Sequence, residues 1–187
     1  MNEQQAILRL KQGDLEGLKT LVDKYQVKAV RAAYLMLKDR QLAEEVVQKA
    51  FLKIARRIDQ FEVGSPFGPW FFRIVVNDAR KVIRRQKRLV SVEEQLDDQT
   101  TQLAEWLIAP EPKPELLVEL EESRQDVVQA VQSLPPEPRT AVVLYYYLGL
   151  TMKEMSERTE KPLSTIKWWL RDGRRRLKRL LDAPTPK

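Results

Sequence analysis

The chain has 187 residues, 43% of them apolar and 32% charged, with a formal net charge of +6 and neither Cys nor His. That length allows one medium domain or two small ones. The missing residue types exclude a disulfide framework, thiolate or imidazole metal ligation, and Ser-His or Cys-His nucleophilic catalysis.

The six glycines form no G-x-x-x-x-G-K-[ST] or G-x-G-x-x-G phosphate loop. No run of about 18 apolar residues would insert into a membrane, and the polar start at Met1–Gln5 lacks the form of a secretion leader. The expectation is a cytoplasmic protein with an anionic partner. Charge is segregated along the chain. Residues 1–90 carry 19 Lys/Arg against 10 Asp/Glu, residues 91–126 carry 2 against 11, and residues 127–187 carry 12 against 6. Two basic blocks flank an acidic one, a pattern less often accidental than any single charge run.

Apolar residues recur at helical spacing nearly throughout, with no strand-like alternation. Gly13-Asp14 predicts a turn before a helix with Leu15, Leu18, Leu21, Val22, Tyr25 and Val30 to Leu37 on its core side. The next helix has Leu42, Val46, Val47, Ala50, Phe51, Ile54 and Ile58 in one stripe. Its polar face holds Asp39, Arg40, Glu44, Glu45, Gln48 and Lys49. Gly64, Ser65, Pro66, Gly68 and Pro69 predict a loop over 61–69, and a further helix runs from about Trp70 to about Lys87. Its core side is Phe71/Phe72, Val75, Val76, Ala79, Val82 and Ile83; its other face presents Trp70, Arg73, Asn77, Arg80, Lys81 and Arg84. Cations can track a nucleic-acid backbone, and an aromatic or loop pocket can hold an unstacked base. A solvated helix face is the alternative for this stripe taken alone.

Residues 91–116 are acidic and carry Pro110, Pro112 and Pro114 in alternation, which predicts an extended linker. A small apolar cluster, Leu103, Trp106, Leu107 and Ile108, interrupts it. Helix resumes near Leu116 with Leu120, Val127, Val131 and Leu134, and Pro135-Pro136 is a stop. Helical residues Thr140–Leu148 then lead to a turn at Gly149. Thr151 and Glu154 have capping-box spacing, opening a helix that turns Met152 and Met155 inward and breaks at Thr159-Glu160-Lys161-Pro162. The second helix begins at Leu163–Thr165 and is apolar at Ile166, Leu170, Leu177 and Leu181. Two short helices across so tight a break are a helix-turn-helix signature. The first turns of the second helix hold Ser164, Thr165, Lys167, Trp168 and Arg171, with Arg174, Arg175, Arg176, Lys178 and Arg179 behind them. These are groups for base edges and for phosphates. A helical hairpin with a solvated basic tail is the alternative. One of Trp168 and Trp169 is expected to pack inward.

The fold class is therefore all-α: two small helical domains, 1–90 and 127–187, joined by an acidic Pro-containing segment, 91–126. No catalytic residue, metal site or cofactor is expected. The paired acids Asp97/Asp98 lie in the linker without a companion base.

Taken together, these motifs resemble the extracytoplasmic-function (group 4) sigma factors of bacterial RNA polymerase. Asp39 to Phe51 is similar to the family's region 2.2, and Phe67 to Asn77 to its regions 2.3 and 2.4. Leu134-Pro135-Pro136-Glu137-Pro138-Arg139 resembles the opening of region 4, and Ser164-Thr165-Ile166-Lys167 the start of its reading helix. The resemblance spans about residues 25–182 and implies three sites. Asp39, Glu44, Glu45 and Gln48 would bind core polymerase. Trp70, Arg73, Asn77, Arg80, Lys81 and Arg84 would bind the melted −10 strand. Ser164, Thr165, Lys167, Trp168, Arg171, Arg174 and Arg175 would bind −35 duplex. The implied partners are core RNA polymerase through its β′ clamp and β flap, promoter DNA, and an anti-sigma factor such as often holds members of the family. The acidic linker would be repelled by DNA and could occupy the basic polymerase channel. The sequence departs from the family at Glu45, Lys49, Pro69, Trp168 and Trp169. Where the family usually reads −35 with Ser and Arg, the two tryptophans cannot fork onto guanine. A stand-alone helix-turn-helix regulator is the alternative function.

Overall fold

A computed structural model describes the backbone of residues 1–89 and 117–182, with side chains over 1–86 and 125–182. The proline-rich acidic stretch, the cluster Leu103–Ile108 and Asp97/Asp98 lie outside the described residues. The chain divides into two compact units, Met1–Gln86 and Lys87–Lys187. Their described residues are helical, without strands.

The first unit holds α1 (Glu3–Lys11), α2 (Leu15–Leu37), α3 (Arg40–Arg57), a 3₁₀ turn (Ile58–Gln60) and α4 (Phe67–Leu89). Helix α1 was not expected. Its signal is present: Asn2 and Gln5 close a capping box, and Ala6, Ile7 and Leu10 face inward. The segment is short, and its mean polarity hides the stripe. Asp14 caps α2 and Asp39 caps α3, each through a side-chain oxygen that accepts a backbone N–H. The core combines Leu21, Val30, Met36, Val47, Ile54, Phe67, Phe71, Val75 and Val76, all almost fully enclosed.

Helix α4 begins at Phe67, three residues before the expected Trp70, so Gly68 and Pro69 lie in its first turn. Proline is tolerated there because the first four N–H groups of a helix have no internal acceptor. Leu15, assigned to the core side of α2, is 67% exposed because it occupies the first position of the helix, beyond the reach of the core.

The second unit holds α5 (Leu117–Ser133), α6 (Pro136–Val142), a π-helical turn (Val143–Tyr147), α7 (Met152–Thr159) and α8 (Leu163–Leu181). Pro135-Pro136 does end α5, and Pro136 then starts α6 as its first residue, where its fixed φ suits a helix. In the π turn, Leu148 N–H reaches back to Val143 O at 3.0 Å, one residue further than in an α-helix. Val127 and Leu181, expected to be apolar contacts, are exposed, and Met152 is half-buried while Met155 is fully enclosed. Leu181 and Met152 lie at helix ends, where periodicity alone sets orientation poorly. Val127 faces the same side of α5 as Val131 and Leu134 but precedes the stretch that is buried, which begins at Ala130.

Candidate nucleic-acid interface

The first candidate surface begins where α4 begins. Phe67 is fully enclosed, and Tyr25 of α2 packs its ring on Phe67, Phe71 and Phe72 at centroid distances of 5.3, 5.7 and 6.0 Å. Gly68 lets this ring come close, since a Cβ there would sit 3.3 Å from Tyr25 Cε1. The Tyr25 hydroxyl donates to Glu3 Oε2 at 2.6 Å, and Lys24 Nζ donates to the same oxygen at 2.6 Å. Burial, and then Glu3, push the Tyr25 hydroxyl far above its ordinary range, so it stays a donor. Burial also pushes the Glu3 carboxyl up, but Lys24 and Tyr25 outweigh it and hold the group below its usual value. Helices α1, α2 and the start of α4 are thereby tied at one point.

Trp70 stands half-buried on this aromatic base, 5.0 Å from Phe61 and 5.7 Å from Phe67. Arg73, Lys81 and Arg84 are exposed, and Asn77 and Arg80 are half-buried. Their spacing places all six on one broad side of α4. Arg80 is engaged within the protein. Asp78 lies among these cations. Lys53 of α3 donates to both its oxygens, at 2.7 and 2.6 Å, and Lys81 approaches to 3.8 Å. This tie was not read from the sequence, which gave no reason to pair residues 25 positions apart.

The residues assigned to polymerase lie at and beside a groove between α2 and α3. Leu18, Val22, Val30, Val47, Phe51 and Leu52 supply apolar lining, and Glu44, Glu45 and Gln48 join them. Glu44 is paired with Arg40 at 2.9 Å and Glu45 with Lys49 at 3.0 Å, both along α3. Such exposed pairs are worth little and open easily to a partner. Asp39 is set apart from the groove lining, because its carboxylate caps α3.

The second surface is the helix-turn-helix. The expected capping box forms: Glu154 N–H donates to Thr151 Oγ1 at 3.2 Å, and Thr151 N–H donates to Glu154 Oε2 at 2.8 Å. Hydrogen bonds from the Thr151 backbone and hydroxyl hold the Glu154 carboxyl below its ordinary range. Glu160 takes a left-handed conformation, φ 55°, to end α7, and Ser156 Oγ donates to Lys161 O at 2.6 Å across the turn. In α8, Ile166, Trp169, Leu170 and Gly173 are buried against the rest of the unit, whereas Ser164, Lys167, Arg171, Arg174 and Arg175 are exposed and Thr165 is half-buried. Trp169 is the inward tryptophan, 9% exposed, and Trp168 the outward one, 60% exposed.

Asp172 was missed, because one acid in a basic run reads as noise. It is buried, and its two oxygens accept from Arg175 Nη2 at 2.6 Å and Arg176 Nε at 2.8 Å. Arg176, then Arg175, hold its carboxyl below the usual range against the opposing effect of burial. The Arg175 guanidinium is thus oriented by its own helix.

Among the described residues no helix is long and apolar enough to cross a membrane. Residues 21–89 match the family model of sigma-70 region 2, and residues 124–177 match that of sigma-70 region 4. The chain is 28% identical over 176 residues to the ECF RNA polymerase sigma factor SigW of Bacillus subtilis, covering 94% of each. It is 30% identical over 175 residues to the ECF RNA polymerase sigma-E factor of Escherichia coli, covering 89% of this chain and 87% of that one. The sigma factor RpoE of Bartonella quintana, solved with the anti-sigma factor NepR, superposes with a TM-score of 0.63 at 22% identity, covering 89% of this chain and 99% of that one. That likeness bears on the fold. A stand-alone helix-turn-helix regulator would leave the match over residues 21–89 unaccounted for. With both domain models matched in order and relatives aligned over nearly its whole length, the chain belongs to the ECF group of RNA polymerase sigma factors.

Proposed function

We propose that the chain is a promoter-specificity subunit that joins core RNA polymerase to promoter DNA in the cytoplasm and makes no bond itself. Residues 1–90 bind core polymerase around Glu44, Glu45 and Gln48, with Asp39 setting the start of α3. They hold the opened −10 strand on Trp70, Arg73, Asn77, Arg80, Lys81 and Arg84. Residues 127–187 bind −35 duplex through the outward face of α8, from Ser164 to Arg175. The β′ clamp meets the α2–α3 groove, whose apolar lining and charged rim suit a protein partner. An anti-sigma factor covering the same groove would compete with polymerase.

The observation that carries this reading is the presence of two different basic helix faces in one chain, on α4 and on α8. Cations beside a partly open tryptophan on α4 suit an unstacked strand. A capped helix-turn-helix with a basic second helix suits duplex. Opening a promoter costs a few kcal/mol per unstacked base. Contacts that form only on the open strand offset that cost.

In vitro transcription with core polymerase on a library of random promoters tests the whole reading. The expected result is transcription from templates sharing two spaced elements. Failure to bind core, with or without DNA, would overturn it. The division of labour is tested by variants: Arg73→Ala and Asn77→Ala impair opening more than closed-complex binding. Lys167→Ala and Arg171→Ala instead weaken duplex binding and lower its salt dependence. Equal loss in every assay from all four contradicts the division.

A further inference from the structure

We infer that Trp168 is a specificity-determining residue, packing its indole against the 5-methyl group of a thymine in the −35 major groove. This rests on the reading that α8 enters that groove. Helical periodicity of 3.6 residues places Ser164, Lys167, Trp168 and Arg171 on one face, with the buried Ile166, Trp169, Leu170 and Gly173 opposite. At 60% exposure Trp168 is the most exposed large apolar side chain of the helix, and it stands in the first two turns, the part that meets base edges in this motif.

A tryptophan carries 150 Å² or more of largely apolar surface, roughly, that gains by leaving water. In the major groove the bases offer hydrogen-bond donors and acceptors, with one apolar group among them, the thymine methyl. The indole N–H is a single donor and cannot form the two-pronged contact by which Arg selects guanine. Lys167 and Arg171 flank the ring on the same face; they supply the charge for phosphate or base acceptors and leave the apolar position to Trp168. The physical match is therefore indole to methyl, and the sequence selected opposite Trp168 contains thymine.

The test uses the full chain with core polymerase. A −35 element is first selected from random promoters, and each of its thymines is then replaced singly by deoxyuridine, which removes the methyl and nothing else. At one position uracil should weaken binding by about three- to fivefold, the worth of one buried methyl group. Trp168→Ala should bind the thymine duplex less tightly and show no difference between thymine and uracil there, while Trp168→Phe keeps part of it. Arg171→Ala should weaken both duplexes alike. Circular dichroism of Trp168→Ala matching the parent shows that α8 is intact. Uracil sensitivity that is the same in the parent and in Trp168→Ala, or that occurs at no position, overturns the inference. If a −35 preference persists and depends on Lys167 and Arg171 but not on Trp168, only this inference fails. If no −35 element is selected, the duplex-reading role of α8 fails with it.

Discussion

Lys53 of α3 donates to both carboxylate oxygens of Asp78 of α4, so the helix beside the proposed polymerase groove is bonded to the helix proposed to hold the open strand. The Asp78 side chain is 13% exposed and that of Lys53 is 42% exposed, which places the pair between a surface bridge and a buried one. Asp78→Ala should destabilise the first unit by about 1–2 kcal/mol, a charge-assisted hydrogen bond discounted for solvent screening. Combining it with Lys53→Met in a double-mutant cycle followed by urea unfolding should give a coupling of about 1 kcal/mol. Additivity of the two substitutions would show that the bond carries no stability.

Gly17→Ala should reverse the usual preference of helices for alanine. In an exposed helix interior the change favours folding by about 1 kcal/mol. Here the added Cβ meets the backbone of α1 at Ala6 O, and Leu10 N lies 2.8 Å away. Helix α1 must move off α2, at a cost of about 2 kcal/mol. A lower melting temperature with faster amide exchange confined to Glu3–Lys11 would be the signature. At Gly173 the obstacle is a side chain, Val142 Cγ2 at 2.8 Å. Gly173→Ala should therefore be milder and be relieved by Val142→Ala.

Adjacent tryptophans should respond oppositely. Trp169→Ala empties a buried site in the second unit and should cost about 3 kcal/mol or more. Trp168→Ala should change stability by less than about 0.5 kcal/mol. Equilibrium unfolding separates the two directly.

Acid should weaken both units. Glu3, Glu154 and Asp172 are all held below their ordinary values in the folded chain. A carboxyl with a depressed folded pKa contributes its stability fully above the unfolded value and loses it as pH falls through the folded one. Stability should thus be level near neutrality and decline below the ordinary carboxylate range. Asp172→Asn should lower stability at pH 7 and flatten the part of the decline due to the second unit. An unchanged acid limb in thermal melts from pH 7 to pH 3 would contradict the role given to its arginine pair.

The helical class, the order of helices, the capping box at Thr151 and the outward basic faces were legible because each follows from local periodicity or from a cap three residues wide. Helix α1 escaped because a nine-residue segment gives periodicity few repeats. The start of α4 escaped because Gly68 and Pro69 punctuate turns more often than first helical turns. Partnerships escaped for a different reason. Tyr25 with Glu3, Lys53 with Asp78 and Ala6 with Gly17 are meetings of separate helices, and no spacing rule connects them. Asp172 is local, three and four residues from its arginines. Its spacing was readable, but its burial was not.

The π turn at Val143–Tyr147 bears on how this chain can change length. A π turn holds one residue more than the α-helical path between the same two ends. Deleting one residue there would restore ordinary α-helical bonding and leave α6 and the helix-turn-helix in their present rotational phases. Elsewhere in a packed helix the same deletion turns every later side chain by about 100°. This turn is thus a place where an alignment gap of one can open or close without disturbing the helix-turn-helix that follows it.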